Sequence, residues 1–200
     1  LLLGGIICRY KDLRNGKRQI SELHVPGDFA DLHSFTLKRL DHDMMALTRC
    51  EVAMVPHERI QQMIVARPRL GRIFWFMTTL DAAINREWEL SLGQRSALSR
   101  LAHLFCEVQV RLGLVGLTDG KTVPFDLTQA ELSECVGITV VHVNRCLREL
   151  RKRELATFRD GNLIIGNLSG LMALAEFNPD YLYLDGGFTA LESKVPQPGY

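Results

Sequence analysis

The sequence predicts an α+β chain in three parts: an N-terminal β jelly roll, one long helix, and a C-terminal winged helix-turn-helix. Three observations predict it. Short β-rich runs separated by turn residues fill the first part of the chain. An apolar seam of helical period runs through residues 70–92. A capping box, a glycine, a basic amphipathic helix and an apolar hairpin then follow in that order between 126 and 165. The expected boundaries are 1–67, 68–93 and 94–200, the last including a C-terminal extension.

Composition sets the outer limits. The chain has 200 residues, 46% hydrophobic and 24% charged, an ordinary globular balance. No apolar run approaches the ~18 residues of a membrane span, and Leu1–Ile7 lacks the positive leader of a signal peptide. The five cysteines (Cys8, Cys50, Cys106, Cys135, Cys146) form no C-x-x-C pair, so neither a zinc site nor a disulfide framework is expected. Free thiols fit a reducing cytoplasm. The chain begins with Leu and enters directly into a strand, so the start of the jelly roll is expected to be missing.

In the first part, Gly5–Lys11 is a short β-rich run and Asn15-Gly16 is a two-residue hairpin signal, because both positions tolerate positive φ. Arg18–Val25 alternates imperfectly, with Ile20, Leu23 and Val25 apolar. Pro26-Gly27-Asp28 is a turn. Met44–Leu47 and Cys50–Val55 are two further short strands. Regular strands with this punctuation predict a barrel or jelly roll.

Pro56 suits the first turn of a helix, and Ile60, Met63 and Ile64 follow at helical spacing. After Pro68, the positions Leu70, Ile73, Met77, Leu80, Ile84, Glu87 and Ser91 recur at three- and four-residue steps, with Phe74, Trp88 and Leu92 beside them. The seam Leu70, Ile73, Met77, Leu80, Ile84 and Trp88 is expected to pair two copies of the chain. Gly93 is a candidate hinge before a second helix, Ser96–Leu112. Gly113–Thr122 is expected to be a loop.

The most specific pattern begins at Thr128-Gln129-Ala130-Glu131, which has the capping-box form. A short helix should follow with Ala130, Leu132 and Val136 inward, ended by Gly137. Thr139 can cap a second helix, Val140 to about Arg153, with Val143, Leu147 and Leu150 inward. Its other side carries His142, Asn144, Arg145, Arg148, Arg151 and Lys152. Such a helix fits the major groove of B-DNA, where Arg can pair bidentately with guanine and Asn with adenine. Lys and Arg near its end can contact phosphates. Leu155–Phe158 and Leu163–Ile165 flank Asp160-Gly161, the hairpin of a wing, with Arg159 at its tip. The DNA-contacting set read from these elements is Thr128, Gln129, Thr139, Val140, Val141, His142, Asn144, Arg145, Arg148, Lys152 and Arg159.

Leu127–Leu132, Val140–Leu150 and the Asp160-Gly161 hairpin together resemble the Crp/Fnr family of transcription regulators, and the resemblance covers nearly the whole chain. It implies a homodimer that binds double-stranded DNA, and contacts RNA polymerase if it is an activator. It also implies a jelly roll similar to cyclic-nucleotide-binding sensors. Pro26-Gly27-Asp28-Phe29 matches the turn before the family's ligand cassette, which places an effector pocket around Phe29, Asp31, His33 and His42. Two departures stand out. Where cAMP-binding members carry an arginine with serine or threonine for the phosphate, this chain has His42-Asp43. An acid there would repel a phosphate, so cyclic nucleotide is not expected and no cofactor is predicted. Many members also carry a glutamate near the start of the recognition helix, where Val141 stands here. Glutamate can accept from cytosine, whereas valine can only touch a thymine methyl, so a different operator is expected. Arg145 keeps the family arginine. His24 and His33 are possible haem ligands, but each is read as structural or solvent-facing.

A cupin-like metal enzyme is the alternative from another class, because Asp28, Asp31, His33, Asp41, His42, Asp43 and His57 supply ligand types. No His-x-His pair accompanies them. Leu171, Leu174 and Phe177 predict a short docking helix near the end, and Pro196–Tyr200 a loose tail.

Overall fold

The computed structural model describes residues 1–184. Strand β1 (Leu2–Gly4) pairs antiparallel with β5 (Glu51–Val52). A second antiparallel sheet runs β3 (Arg18–His24), β2 (Ile7–Asp12), β4 (Asp43–Ala46). The β2–β3 hairpin turns at Asn15-Gly16, but through residues 14–16 between Leu13 and Lys17 rather than a two-residue loop: Gly16 takes φ +79° and donates its N–H to Leu13 O at 2.9 Å, while Asn15 does not take a positive φ. Ile6, Cys8, Ile20, Leu23 and Val25 form the buried face of these strands. A one-turn helix, α1 (Ser34–Leu37), lies between β3 and β4.

Helix α2 (His57–Ala66) leads through Arg67 into α3 (Pro68–Gln94), 27 residues with Pro68 in its first turn. Proline is tolerated there because the first N–H groups of a helix have no intrahelical acceptor. The expected seam is corrected in part. Leu70, Ile73, Met77 and Leu80 are half-buried. Ile84 and Trp88, by contrast, lie in the chain's own core at 2% and 6% exposure and cannot face a second copy. Helical spacing cannot tell which of two apolar partners a stripe will meet. Gly93 is not the hinge either. It sits within α3, and the corner falls at Arg95, which is extended (φ −75°, ψ 145°). Ser96 then caps α4 (Ala97–Leu114), accepting from Ser99 N–H.

Helix α4 is buried nearly all round and organises the C-terminal unit. Around it stand α5 (Gln129–Val136), α6 (Val140–Lys152), α7 (Leu168–Ala175) and a three-stranded sheet. That sheet runs β6 (Thr122–Pro124), β8 (Asn162–Ile165), β7 (Ala156–Arg159). Strand β6 was not foreseen. It lies at the end of the segment expected to be a loop, and three residues carry too little periodicity to read. The core pivots on three rings: Phe105 of α4 lies 6.3 Å from Phe125 and 6.0 Å from Phe158. Leu101, Leu132, Leu150, Leu163 and Leu171 complete it, each fully buried. Leu171 and Phe177 dock α7 and the segment after it as expected, and a 3₁₀ turn, Pro179–Leu182, follows. The expected tail at Pro196–Tyr200 lies outside the described residues.

The two halves touch directly. Gln19 of β3 donates through Nε2 to the carbonyls of Glu134 (2.8 Å) and Cys135 (3.2 Å) at the end of α5. Gly137 follows in the left-handed region (φ +63°). A Cβ there would stand 3.0 Å from Leu92 and 3.2 Å from Gln19, so both conformation and space call for glycine.

Truncating the ring that joins helix, strand and wing is expected to be costly. Phe105→Ala should lower unfolding free energy by about 3–5 kcal/mol, read from urea denaturation of the purified chain. A loss below about 1 kcal/mol would show that the three rings do not form the core of this unit.

Candidate nucleic-acid interface

The helix-turn-helix is set by caps. Thr128 accepts from Glu131 N–H at 3.2 Å, while the Glu131 carboxylate accepts from Thr128 N–H at 2.6 Å and from its hydroxyl at 2.8 Å. The Thr128 hydroxyl is therefore committed to the cap. Its place at the interface is one of setting where α5 begins, with Gln129 exposed just after it. Leu132 and Val136 point inward as expected, but Ala130 is exposed and Ser133 and Cys135 take the remaining buried positions.

Thr139 caps α6 by accepting from His142 N–H at 3.3 Å. Val143 and Leu150 are fully buried and Cys146 is 4% exposed, so one side of the helix is seated in the core. Leu147 packs against the same core while half-buried. The opposite side presents Val140, Val141, His142, Arg145, Arg148, Arg151 and Lys152 to solvent. Its only ion pair among the described residues is Arg153–Glu149 at 2.7 Å, one turn apart. Arg145, Arg148, Arg151 and Lys152 make no ion pair among the described residues, so their charge is available to an outside partner. Asn144 is half-buried and donates to Val140 O at 3.2 Å.

The basic side continues onto the wing. Gln129, Asn144, Arg148 and Arg151 share one open groove with Thr157 and Arg159. The positive-φ pair Asp160 (+51°) and Gly161 (+69°) turns the hairpin and sets Arg159 at its tip. Thr157 was missed by sequence reasoning, although strict alternation along β7 would have placed it with Arg159 on the outer face. The arrangement offers a convex cationic helix beside a hairpin, a shape that suits one major groove and its flanking phosphates.

The second candidate site lies in the N-terminal half. His33 Nε2 faces His42 Nε2 at 2.9 Å, in a cleft that also holds Arg9, Lys11, Ser21, Asp81 and Asn85. The other two residues of the expected effector set, Phe29 and Asp31, line a separate cavity with Ser34 and His57, and the Phe29 ring stands edge-on to Phe74 of α3 at 5.7 Å. Arg9 has little capacity left for a ligand. It donates to Ala30 O, Glu22 (2.7 Å) and Asp81 (2.9 Å), and Asn85 donates to the same Glu22 at 3.0 Å. Burial, reinforced by Asp81, pushes the Glu22 carboxyl up. Burial first and Arg9 second push His33 down. His24 is fully enclosed, and burial together with Arg9 and Arg111 holds its ring well below the usual histidine range, so it stays neutral. Among the described residues no group of three or more His, Cys, Asp or Glu side chains could hold a metal ion.

Comparison with known proteins agrees with this geometry. The family model of the Crp-like helix-turn-helix domain matches residues 99–174, and that of the cyclic nucleotide-binding domain matches residues 1–67. The nitrogen fixation regulation protein FixK of Bradyrhizobium diazoefficiens is 28% identical over 176 residues, covering 87% of this chain and 72% of its own. The transcriptional activator protein FnrL of Cereibacter sphaeroides is 27% identical over 153 residues, 74% of this chain and 60% of its own. Among solved structures, FixK2 from Bradyrhizobium japonicum superposes with a TM-score of 0.73 at 22% identity, covering 86% of this chain and 84% of that one. These matches give the metal-enzyme alternative no support. With a sensor-type β unit, a long connecting helix and a basic recognition helix beside a wing, the chain belongs to the Crp/Fnr family of DNA-binding transcription regulators.

Proposed function

We propose that the chain works in the cytoplasm as a homodimer that reads a near-palindromic operator through α6 and answers to a small molecule bound in its N-terminal half. One observation carries the DNA reading: the outer side of α6 holds four cations with no carboxylate partner among the described residues, while its inner side is locked into the core. Two copies pairing along α3 would use Leu70, Ile73, Met77 and Leu80, with Trp75 beside them at 72% exposure. A two-fold dimer of this kind sets its recognition helices in successive major grooves about 34 Å apart. FnrL is named a transcriptional activator, and the same role here would require a contact with RNA polymerase.

The effector is not a cyclic nucleotide. The cleft beside His33 and His42 already neutralises Arg9 with Glu22 and Asp81, and it carries Asp41 as well. A phosphate placed there would meet acids without an uncommitted guanidinium to offset them.

Selection of bound duplexes from a random library by the purified protein tests the reading directly. A two-fold symmetric consensus is expected, and recovery of unenriched sequence would overturn it. Arg145→Ala should weaken binding to the selected duplex by about 1–3 kcal/mol and relax preference at one position of each half-site. Repeating the selection with the variant checks this, and an unchanged consensus would remove Arg145 from base reading. Lys152→Ala should weaken all sequences alike and lower the slope of log K against log salt by about 1. Titrations at several salt concentrations measure that slope, and a slope equal to the parent's would refute the phosphate contact.

A further inference from the structure

Glu107 lies in the middle of α4, fully buried, and takes hydrogen bonds from three different parts of the chain. Trp88 Nε1 of α3 donates to it at 3.1 and 3.2 Å. Arg111 Nη1 donates at 3.0 Å, and the Tyr181 hydroxyl from the C-terminal 3₁₀ turn at 2.8 Å. Arg111 also reaches across to the N-terminal half, where its Nη2 donates to Asp28 Oδ2 at 2.7 Å. That carboxylate oxygen accepts from Val25 N–H as well, at 2.7 Å, and so holds the Pro26–Phe29 turn in shape. One carboxylate thus joins the turn beside the effector cleft, the long helix, the spine of the DNA-binding unit and the C-terminal segment.

The C-terminal segment makes a second tie at the corner between α3 and α4. Arg95, the corner residue, donates to Ala175 O at 3.1 Å and pairs with Glu87 of α3 at 2.6 Å. His103 of α4 stacks on Tyr181 at 6.0 Å and meets Phe177 edge-on at 5.0 Å. Burial and the adjoining Glu107 carboxylate raise the Tyr181 hydroxyl far above its ordinary range, so it remains a donor. Tyr181 lies beyond residue 174, where the helix-turn-helix family model ends.

We propose that Tyr181 is a positioning residue for operator recognition. Its bond to Glu107 fixes the α4 carboxylate to which Trp88 of α3 donates, and so holds the DNA-binding unit against α3 at one angle; Arg111 carries changes at the Asp28 turn to the same carboxylate. The inference rests on the dimeric DNA-binding reading above. Two recognition helices can match one half-site separation only if each is held at a set angle to the dimer helix. Loosening that angle relaxes the separation and leaves each half-site contact as it was.

The test uses the full chain and the duplex selected by the parent protein, together with duplexes whose half-sites are one or two base pairs closer or further apart. The parent should bind the selected separation best. Tyr181→Phe should flatten that preference by about three- to tenfold, the size expected for the net loss of one intramolecular hydrogen bond. Its affinity for a single half-site should not change. Asp28→Asn should flatten it too, and the double variant should do no more than the stronger single one, because both act through Glu107. Hydrogen exchange on the DNA-free chain supplies a second readout, in which Tyr181→Phe should speed exchange at residues 25–28. A parent that selects no duplex sinks the DNA reading, and hydrogen exchange then decides the coupling alone. A parent that binds, with Tyr181→Phe keeping the same separation profile, overturns the role of Tyr181 in positioning. Unchanged exchange at residues 25–28 overturns the link to the sensor turn.

Discussion

The enclosure of α4 is the constraint on which the rest of the structure depends. A helix in a small domain usually keeps one side in water, but α4 buries twelve of its eighteen residues, including Glu107, Gln109 and Arg111. Burying those polar groups is tolerable only if each finds partners. Glu107 therefore gathers Trp88, Arg111 and Tyr181, and Arg111 gathers Asp28. The apolar sides of α4 at the same time seat Phe125 and Phe158 of the wing sheet through Phe105. Every other element of the DNA-binding unit takes its place from this helix, and the long α3 and the sensor turn are tied to it by hydrogen bonds.

The distribution of charge follows a division of labour. In the N-terminal half and around α4, the enclosed arginines Arg9, Arg95 and Arg111 are each matched by carboxylates: Arg9 with Glu22 and Asp81, Arg95 with Glu87, Arg111 with Asp28 and Glu107. On α6 only Arg153 has such a partner among the described residues. A net charge of +1 hides this, because the paired charges cancel and a local excess remains on one helix face. Charge kept unmatched beside a locked apolar face is what a polyanionic partner requires.

The helix-turn-helix was legible because its determinants are local. Thr128 with Glu131, Gly137, Thr139 and Asp160-Gly161 each act within four residues, so spacing alone located both helices and the wing. Charge on α6 was legible for the same reason, since a helix of known period sorts residues by side. The hairpin at Asn15-Gly16 belongs to this class too. What escaped were features decided at long range. The stripe on α3 showed its period but not its partners, so Ile84 and Trp88 were assigned to a second copy when the chain's own core takes them. Residue type points to Gly93 as a hinge, whereas the chain turns at Arg95, whose guanidinium is held by Ser91, Glu87 and Ala175.

The sequence by itself determined the kind of molecule: where the helices begin and end, which side of α6 is cationic, and which hairpin follows it. These depend on backbone capping and side-chain period, both of which operate over a few residues. Tertiary structure alone decided that Gln19 would meet the end of α5, that Asp28 would share Arg111 with a carboxylate 79 positions away, and that Tyr181 would return to that same carboxylate on α4. A buried hydrogen bond needs partners brought together from anywhere in the chain, and no window along the sequence contains both of them.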